Sequence, residues 1–143
     1  MNREHALTES YLVHSGDFNA AGDASSSIKN VLKRLGVNNA AVRRVAIASY
    51  EAELNIIIHS LGGRITLTVS RDTVSLLVED NGPGIADVDQ AMMEGFSTAP
   101  ESVRLLGFGA GMGLPNMKRC ADEFVINSES GHGTTIQMRF DIR

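Results

Sequence analysis

A glutamate and an asparagine, Glu51 and Asn55, stand four residues apart in a segment with helical character. Residues at this spacing share one face of a helix. A carboxylate can take a proton from a hydroxyl group or a water molecule, and an amide oxygen can ligate Mg²⁺, which prefers oxygen donors. The pair therefore predicts a general base beside a magnesium ligand, although the same spacing alone also fits a solvated helix face.

A second candidate segment, residues 80–85, reads Asp-Asn-Gly-Pro-Gly-Ile and follows a predicted strand. The carboxylate of Asp80 could accept a hydrogen bond from an exocyclic amine, which would select adenine over guanine, because guanine carries a carbonyl there. Gly82 and Gly84 would let the backbone approach a ligand closely. Asn-Gly is also a common turn pair, so the segment by itself fits a turn equally well.

A third candidate is a run of alternating glycines that leads into a predicted helix. Its members are Gly107, Gly109, Gly111 and Gly113. The free N–H groups at a helix start attract an anion, and phosphate is the natural guest. The run lacks the Gly-Lys-Ser/Thr of a Walker A loop, and no βαβ unit surrounds it as in a dinucleotide fold. On its own it also fits a flexible linker.

The elements that must position these residues follow from hydrophobic periodicity. Apolar residues at helical spacing predict helices, and alternating runs predict paired strands. In chain order the predicted elements are a short extended segment at 11–14, helices over about 28–35 and 39–60, and strands over 64–69 and 73–79. A short helix around 89–94, a helix over 114–122, and strands over 123–128 and 133–142 follow. Helices and strands do not alternate strictly, so the predicted class is α+β. The expected architecture is a two-layer sandwich with helices on one face of a mixed, mostly antiparallel sheet.

Composition restricts the domain organisation, the binding partners and the cellular location expected for such a fold. The 143 residues fit a single domain over 1–143, in which 1–9 form a poorly ordered or strand-leading segment. A net charge of −4 disfavours direct nucleic-acid binding. No apolar run is long enough to span a membrane, and Met1–Glu9 carry no secretory signal. The single cysteine, Cys120, excludes an intrachain disulfide and agrees with a cytoplasmic location.

Taken together and in this order, the three motifs resemble those of the GHKL superfamily of ATP-binding domains, over about residues 40–140. The superfamily includes gyrase-type ATPases, Hsp90, histidine kinases, MutL and bacterial anti-sigma serine kinases. The helix pair corresponds to its N box, the 80–85 segment to its G1 box and the glycine run to its G2 box. The resemblance implies a Bergerat-type ATP-binding fold with ATP and Mg²⁺ as cofactors.

The resemblance also implies a role for each matching residue. Glu51 would be the general base and Asn55 the magnesium ligand. Asp80 would bind the adenine amine, with a hydroxyl from Thr134 supporting that contact. The remaining nucleotide-binding positions would be Gly82, Gly84, Ile85, Gly107, Gly109, Gly111, Met112, Gly113 and Leu114.

The branch of the superfamily follows from what accompanies these motifs. No phospho-accepting histidine helix and no further domain is visible, which favours the small anti-sigma and switch kinases. The stretches 94–99, 111–115 and 122–124 resemble the switch kinases in particular, whereas residues 99–106 match no short-lid member. The implied activity is ATP- and Mg²⁺-dependent phosphorylation of a serine or threonine on a STAS-domain antagonist protein.

Two other functions remain open at this point. One is a non-catalytic, ATP-responsive module that sequesters a sigma factor or activates a phosphatase. The other is a simple ATPase without a protein acceptor. An intact Glu51 favours the kinase, because binding alone does not need a base. Related anti-sigma kinases also form homodimers, so the resemblance allows a dimer here.

Overall fold

A computed structural model describes residues 5–82, 88, 92–93, 113–129 and 131–143. Its main elements, in chain order, are β1 (His5–Val13), α1 (Asp23–Arg34), α2 (Asn39–His59), β2 (Gly63–Ser70), β3 (Thr73–Asp80), α3 (Gly113–Cys120), β4 (Glu123–Glu129) and β5 (Gly133–Asp141). The expected α+β class and the two-layer architecture are confirmed. Within these ranges, no helix has the length and apolar character needed to cross a membrane.

The strands form one five-stranded sheet with the order β1-β2-β3-β5-β4. Every pairing between the described strands is antiparallel, so the mixed character that the sequence allowed is absent from them. Alternation along β2 and β3 sends one set of side chains inward, as the period of two in a strand requires. The inward set packs against the helices, and the opposite face carries residues such as Thr66, Ser75 and Gln137.

The helix α2 forms the centre of the helical layer and carries the first predicted motif. Its buried residues include Val45, Ala48, Ala52 and Ile56, at the spacing of one helix face. Asn38 caps its start by accepting a 2.8 Å hydrogen bond from the Ala41 N–H, which satisfies an otherwise unpaired donor. Small residues on this face let α1 and α3 pack closely on either side of α2.

Arg44 fixes the end of α3 against α2. Its Nη1 donates to the Cys120 carbonyl at 3.0 Å and to Asp122 Oδ2 at 3.1 Å, and its Nη2 donates to the Asp141 carbonyl at 3.0 Å. A planar guanidinium suits such a multiple contact, because its donors point in fixed directions. The end of α3 is thereby attached to α2 and to the end of β5.

Glu53 is a buried carboxylate that joins α2 to the beginning of α1. Its side chain is only 2% exposed, and it accepts hydrogen bonds of 3.1 Å from three backbone N–H groups, those of Gly22, Ala24 and Ser25. These donors lie at the start of α1, where N–H groups lack partners within the helix. A negative charge there also complements the helix dipole.

Replacing Glu53 with glutamine should destabilise the fold. One acceptor oxygen would become an amide donor facing the backbone N–H groups of α1. We expect the free energy of unfolding to fall by about 1.5–3 kcal/mol, the scale of a lost hydrogen bond to a charged group. Urea denaturation measures this, with Glu9→Gln on exposed β1 as the matched control. A change for Glu53→Gln no larger than the control's would contradict the capping role.

Candidate functional site

Glu51 and Asn55 lie on α2 one helical turn apart, and both are partly buried. The Glu51 carboxylate faces the start of α3. Asn116 Nδ2 donates a 3.0 Å hydrogen bond to Glu51 Oε2. On the other oxygen, Glu51 Oε1 lies 3.5 Å from the point that a Cβ on Gly113 would occupy. The first residues of α3, where the glycine run ends, therefore lie directly against the predicted base.

Asp80 ends β3, and its carboxylate is held by two backbone N–H groups. The Gly82 N–H donates at 2.9 Å and the Thr134 N–H at 3.2 Å. Both bonds end on Oδ1, so among the described residues Oδ2 is left to accept a hydrogen bond from elsewhere. The main chain thus holds the carboxylate in one orientation through Oδ1.

Two glycines make the close approach around Asp80 possible. A Cβ on Gly82 would lie 2.9 Å from Ser60 Cα and 3.1 Å from Asp80 Oδ1, closer than atoms normally pack. Gly133 has a φ of +86°, and a Cβ there would collide with the Asp80 backbone carbonyl oxygen. Glycine tolerates both the left-handed backbone and the missing space. These positions bring the end of α2 and the start of β5 onto Asp80.

Thr134 contacts Asp80 in a way that differs from the expectation. Its backbone N–H makes the hydrogen bond to Asp80 Oδ1, whereas its hydroxyl lies 2.7 Å from Ser128 Oγ. The hydroxyl therefore ties β5 to β4, and the contact with Asp80 comes from the main chain. The Gly-Thr pair still acts as a unit, because Gly133 lets the Thr134 N–H reach the carboxylate.

The two halves of the site are connected through α2. Glu51 and Asn55 lie on its second half, and Ser60, which caps its end, packs on Gly82 beside Asp80. A helix rises about 1.5 Å per residue, so Glu51 and Ser60 are about 13 Å apart along the axis. The predicted base and the residue that packs beside Asp80 thus lie at two ends of one helical segment, with Asn55 between them.

Several predicted site residues lie outside the described part of the chain. These are Gly84, Ile85, Gly107, Gly109, Gly111 and Met112, together with the segment 99–106. Of the glycine run, Gly113 is described, and it is partly buried at the first position of α3. Leu114 follows it and is buried in the core. Its side chain helps to anchor the start of α3 beside α2.

Asn55, the predicted magnesium ligand, lies on the second half of α2. Within the described ranges, no group of three or more histidine, cysteine, aspartate or glutamate side chains is close enough to hold a metal. Magnesium sites on nucleotides use one or two protein ligands, and phosphate and water supply the others. A single amide oxygen on α2, that of Asn55, fits this kind of site.

His59 is the last residue of α2, and burial lowers the pKa of its imidazole below 6.5. The unfolded chain then binds more protons than the folded chain below about pH 6.5, so the contribution of neutral His59 to stability is complete above that pH and declines as the pH falls through this range. Between about pH 7.5 and 5.5, we expect wild type to lose more unfolding free energy than His59→Gln.

Denaturation curves at the two pH values test the His59 prediction, and the comparison uses each protein's own change with pH. His132→Gln, at the exposed turn before β5, is the matched control for replacing an exposed histidine with glutamine. An equal loss in wild type and His59→Gln would show that another group causes the acid sensitivity.

A family model described as histidine kinase-, DNA gyrase B- and HSP90-like ATPase matches residues 41–143. The chain belongs to this GHKL family. The matched range contains Glu51, Asn55, Asp80 and Thr134 and begins near the start of α2. The resemblance inferred from the three motifs is therefore confirmed at the level of the family, and the individual roles of the residues remain predictions.

Among the relatives of this GHKL domain are kinases and anti-sigma factors. The serine/threonine-protein kinase RsbT of Bacillus subtilis (strain 168) is 37% identical over 113 residues, covering 76% of this chain and 79% of that protein. An anti-sigma F factor of Geobacillus thermodenitrificans (strain NG80-2) is 36% identical over 95 residues, with 62% of each chain covered. Both kinds of name belong to the branch that the sequence favoured.

Solved structures share the fold of this GHKL domain at low sequence identity. The RsbU and RsbW domains of a Mycobacterium tuberculosis protein superpose with a TM-score of 0.63 at 16% identity, covering 94% of this chain. The chain spans about a third of that protein, 32% of its length. The mycobacterial sensor histidine kinase MprB gives a TM-score of 0.54 at 17% identity, covering 96% of this chain and 99% of that one.

Two residues at the site were missed by sequence reasoning. Asn116 contacts the predicted base, and Ser60 packs against Gly82. Asn116 could have been found from its position, because it lies three residues after Gly113 on a helix that had to pack near Glu51. Ser60 carried no such signal, since a serine after a helix is ordinary.

Proposed function

We propose that this chain is an ATP-dependent serine/threonine protein kinase of the anti-sigma and switch type, which phosphorylates a STAS-domain antagonist protein. The observation that carries the proposal is the Glu51 carboxylate, held by Asn116 at the start of α3, where the glycine run ends. A general base in that position would take the proton of the acceptor hydroxyl during phosphoryl transfer. The 37% identity to a protein named as a serine/threonine kinase supports the same activity.

The adenine of ATP would bind at the Asp80 end of the site. Oδ1 is occupied by the N–H groups of Gly82 and Thr134, so Oδ2 would accept the hydrogen bond from the adenine amine. Guanine would present a carbonyl oxygen to this carboxylate, and two acceptors repel. The proposed pocket therefore selects adenine by charge and by the fixed orientation of Asp80.

The phosphates would lie at the opposite end, near Glu51 and the start of α3. The first N–H groups of a helix are unpaired donors and favour an anion. Gly113 leaves space beside Glu51 for a phosphate to approach. The earlier glycines of the run would extend this cradle. Asn55 would hold Mg²⁺, which supplies positive charge against the phosphate oxygens when it is bound.

Glu51 would act on the acceptor hydroxyl. Its carboxylate takes the proton while the serine or threonine oxygen forms a bond to the γ-phosphorus of ATP, and the bond from that phosphorus to the β,γ-bridging oxygen breaks to leave ADP. Positioning and charge stabilisation supply most of the acceleration in such reactions. The partial burial of Glu51 on a rigid helix serves the positioning.

A second function has its own support in the names of the relatives. Several are named anti-sigma F factors, so an ATP-responsive module that sequesters a sigma factor is the alternative. It needs the Asp80 pocket but makes no demand on a base. Whether the activity depends on the Glu51 carboxylate therefore distinguishes the two functions.

Labelled ATP and Mg²⁺ test the proposal with each STAS-domain protein encoded in the same genome as purified acceptor. Label on a serine or threonine of one acceptor, absent with Glu51→Ala, is the expected result. ATP binding without transfer to any acceptor, accompanied by ATP-dependent capture of a sigma factor, would favour the sequestering module. Steady phosphate release without an acceptor would indicate a simple ATPase.

A further inference from the structure

Asn116 contacts the Glu51 carboxylate, although it belongs to none of the three motifs. It is the fourth residue of α3 and is partly buried, and its Nδ2 donates to Glu51 Oε2 at 3.0 Å. A hydrogen bond to an ionised acceptor is shorter and stronger than one between neutral groups. This contact spans 65 residues of sequence and joins α3 to α2 at the predicted base.

The orientation of the Asn116 amide is fixed from its other side. Arg119 Nη1 donates to Asn116 Oδ1 at 3.2 Å, and Arg119 lies one turn further along the same helix. If the amide were rotated by half a turn, its NH₂ group would face the guanidinium and its oxygen would face the carboxylate. Both contacts would then be repulsive. The arrangement of Arg119, Asn116 and Glu51 therefore admits one amide orientation.

The two oxygens of Glu51 consequently have different surroundings. Oε2 is bound by Asn116, whereas Oε1 points toward the space beside Gly113. A glutamate side chain has several rotatable bonds and samples several rotamers when nothing holds it. Anchoring one oxygen selects the rotamer that aims the other at the start of α3, where the phosphates are proposed to lie.

We propose that Asn116 is a positioning residue that holds Glu51 in the rotamer needed to accept the proton from the acceptor hydroxyl. This inference rests on the proposed kinase function and deepens it. Asn116 lies three residues after Gly113 on the same helix, so the placement of the glycine run would also set the placement of the base. Phosphate binding at the start of α3 and alignment of Glu51 are thereby coupled through one side chain.

A double-mutant cycle with Glu51→Gln tests the proposal on the full chain. Asn116→Ala should lower kcat for transfer to the STAS acceptor by roughly 10- to 100-fold, the scale of a hydrogen bond to a charged group, while KM for ATP changes less than about twofold. In the Glu51→Gln background, the same Asn116→Ala change should have almost no further effect, because residues that act through one another are not additive.

Two further variants distinguish the loss of the Asn116 hydrogen-bond donor from a change in side-chain volume. Asn116→Asp keeps the volume and the contact with Arg119 but removes the donor, so it should lower kcat at least as much as alanine does. Asn127→Ala removes an exposed asparagine from β4 and is the matched control, with wild-type kcat expected. An unchanged kcat in Asn116→Ala, or an equal loss in both Glu51 backgrounds, would overturn the positioning role.

A spectroscopic readout keeps this inference distinct from the proposed function. The side-chain amide protons of Asn116 should shift in the NMR spectrum of Glu51→Ala relative to wild type, and the Asn127 amide should not. An unmoved Asn116 signal would refute the contact itself. A shifted signal without transfer to any acceptor by wild type would refute the kinase function and, with it, the catalytic use of the contact.

Discussion

Replacing Glu51 with glutamine should lower phosphoryl transfer by roughly 100- to 10,000-fold, the usual contribution of a positioned general base. Glutamine keeps the shape of the side chain and an oxygen that can still accept from Asn116 Nδ2, so α2 and α3 should stay in place. Because the amide cannot take a proton at neutral pH, the loss should fall on kcat. The affinity for ATP should change little.

Single-turnover transfer of labelled phosphate and a separate ATP-binding titration measure the two effects of Glu51→Gln. Glu79→Gln, on the exposed face of β3, is the matched control and should transfer phosphate at the wild-type rate. If Glu51→Gln kept more than about a tenth of the wild-type rate, the carboxylate would not be the general base.

Asp80→Asn should weaken ATP binding by well over tenfold, the scale of one charge-assisted hydrogen bond. The two N–H groups that hold Asp80 also determine how the new amide group is oriented. An asparagine oxygen can still accept from the N–H groups of Gly82 and Thr134, so its NH₂ group must take the place of Oδ2. A donor would then face the adenine amine, which is also a donor.

Calorimetric titration with a non-hydrolysable ATP analogue measures the affinity of Asp80→Asn, and thermal denaturation confirms that the variant is folded. Asp72→Asn, in the exposed turn between β2 and β3, provides the matched control. The preference for ATP over GTP should shrink in Asp80→Asn as well. Wild-type affinity in a folded Asp80→Asn would remove this residue from the adenine site.

The sequence predicted the helices and strands well where one face of each is buried. The expected hairpin at 64–69 and 73–79 agrees with the observed strands β2 and β3, because alternation of buried and exposed residues is a local signal. The expected helix at about 39–60 agrees with α2, because its N-cap asparagine and the glycines after it mark both ends.

Side-chain burial near an element end was less predictable. Leu61 continues the apolar spacing of α2, but the helix ends at His59 and Ser60 adopts an extended conformation. The side chain of Leu61 is consequently 76% exposed. Glu53 shows the opposite case. A glutamate on a helix usually faces solvent, yet partners 28–31 residues away hold Glu53 in the interior.

The candidate site was predictable only in its outline. Motif order indicated which residues would meet, but hydrogen-bond partners depend on distances that no local pattern encodes. Asn116 meets Glu51 across 65 residues, and the Thr134 N–H meets Asp80 across 54. Which group of Thr134 makes that contact depended on Gly133, whose left-handed backbone turns the N–H toward the carboxylate.

The guanidinium of Arg44 fixes the last turn of α3 against α2. It holds the Cys120 carbonyl and Asp122, so a tilt of α3 against α2 would displace its last turn least and Gly113 most. Eight residues at about 1.5 Å each give an arm of about 12 Å, and a swing of about 10° would displace Gly113 by about 2 Å. Asn116 sits midway along this arm and would travel about half as far, enough to lengthen its contact with Glu51 beyond hydrogen-bonding range.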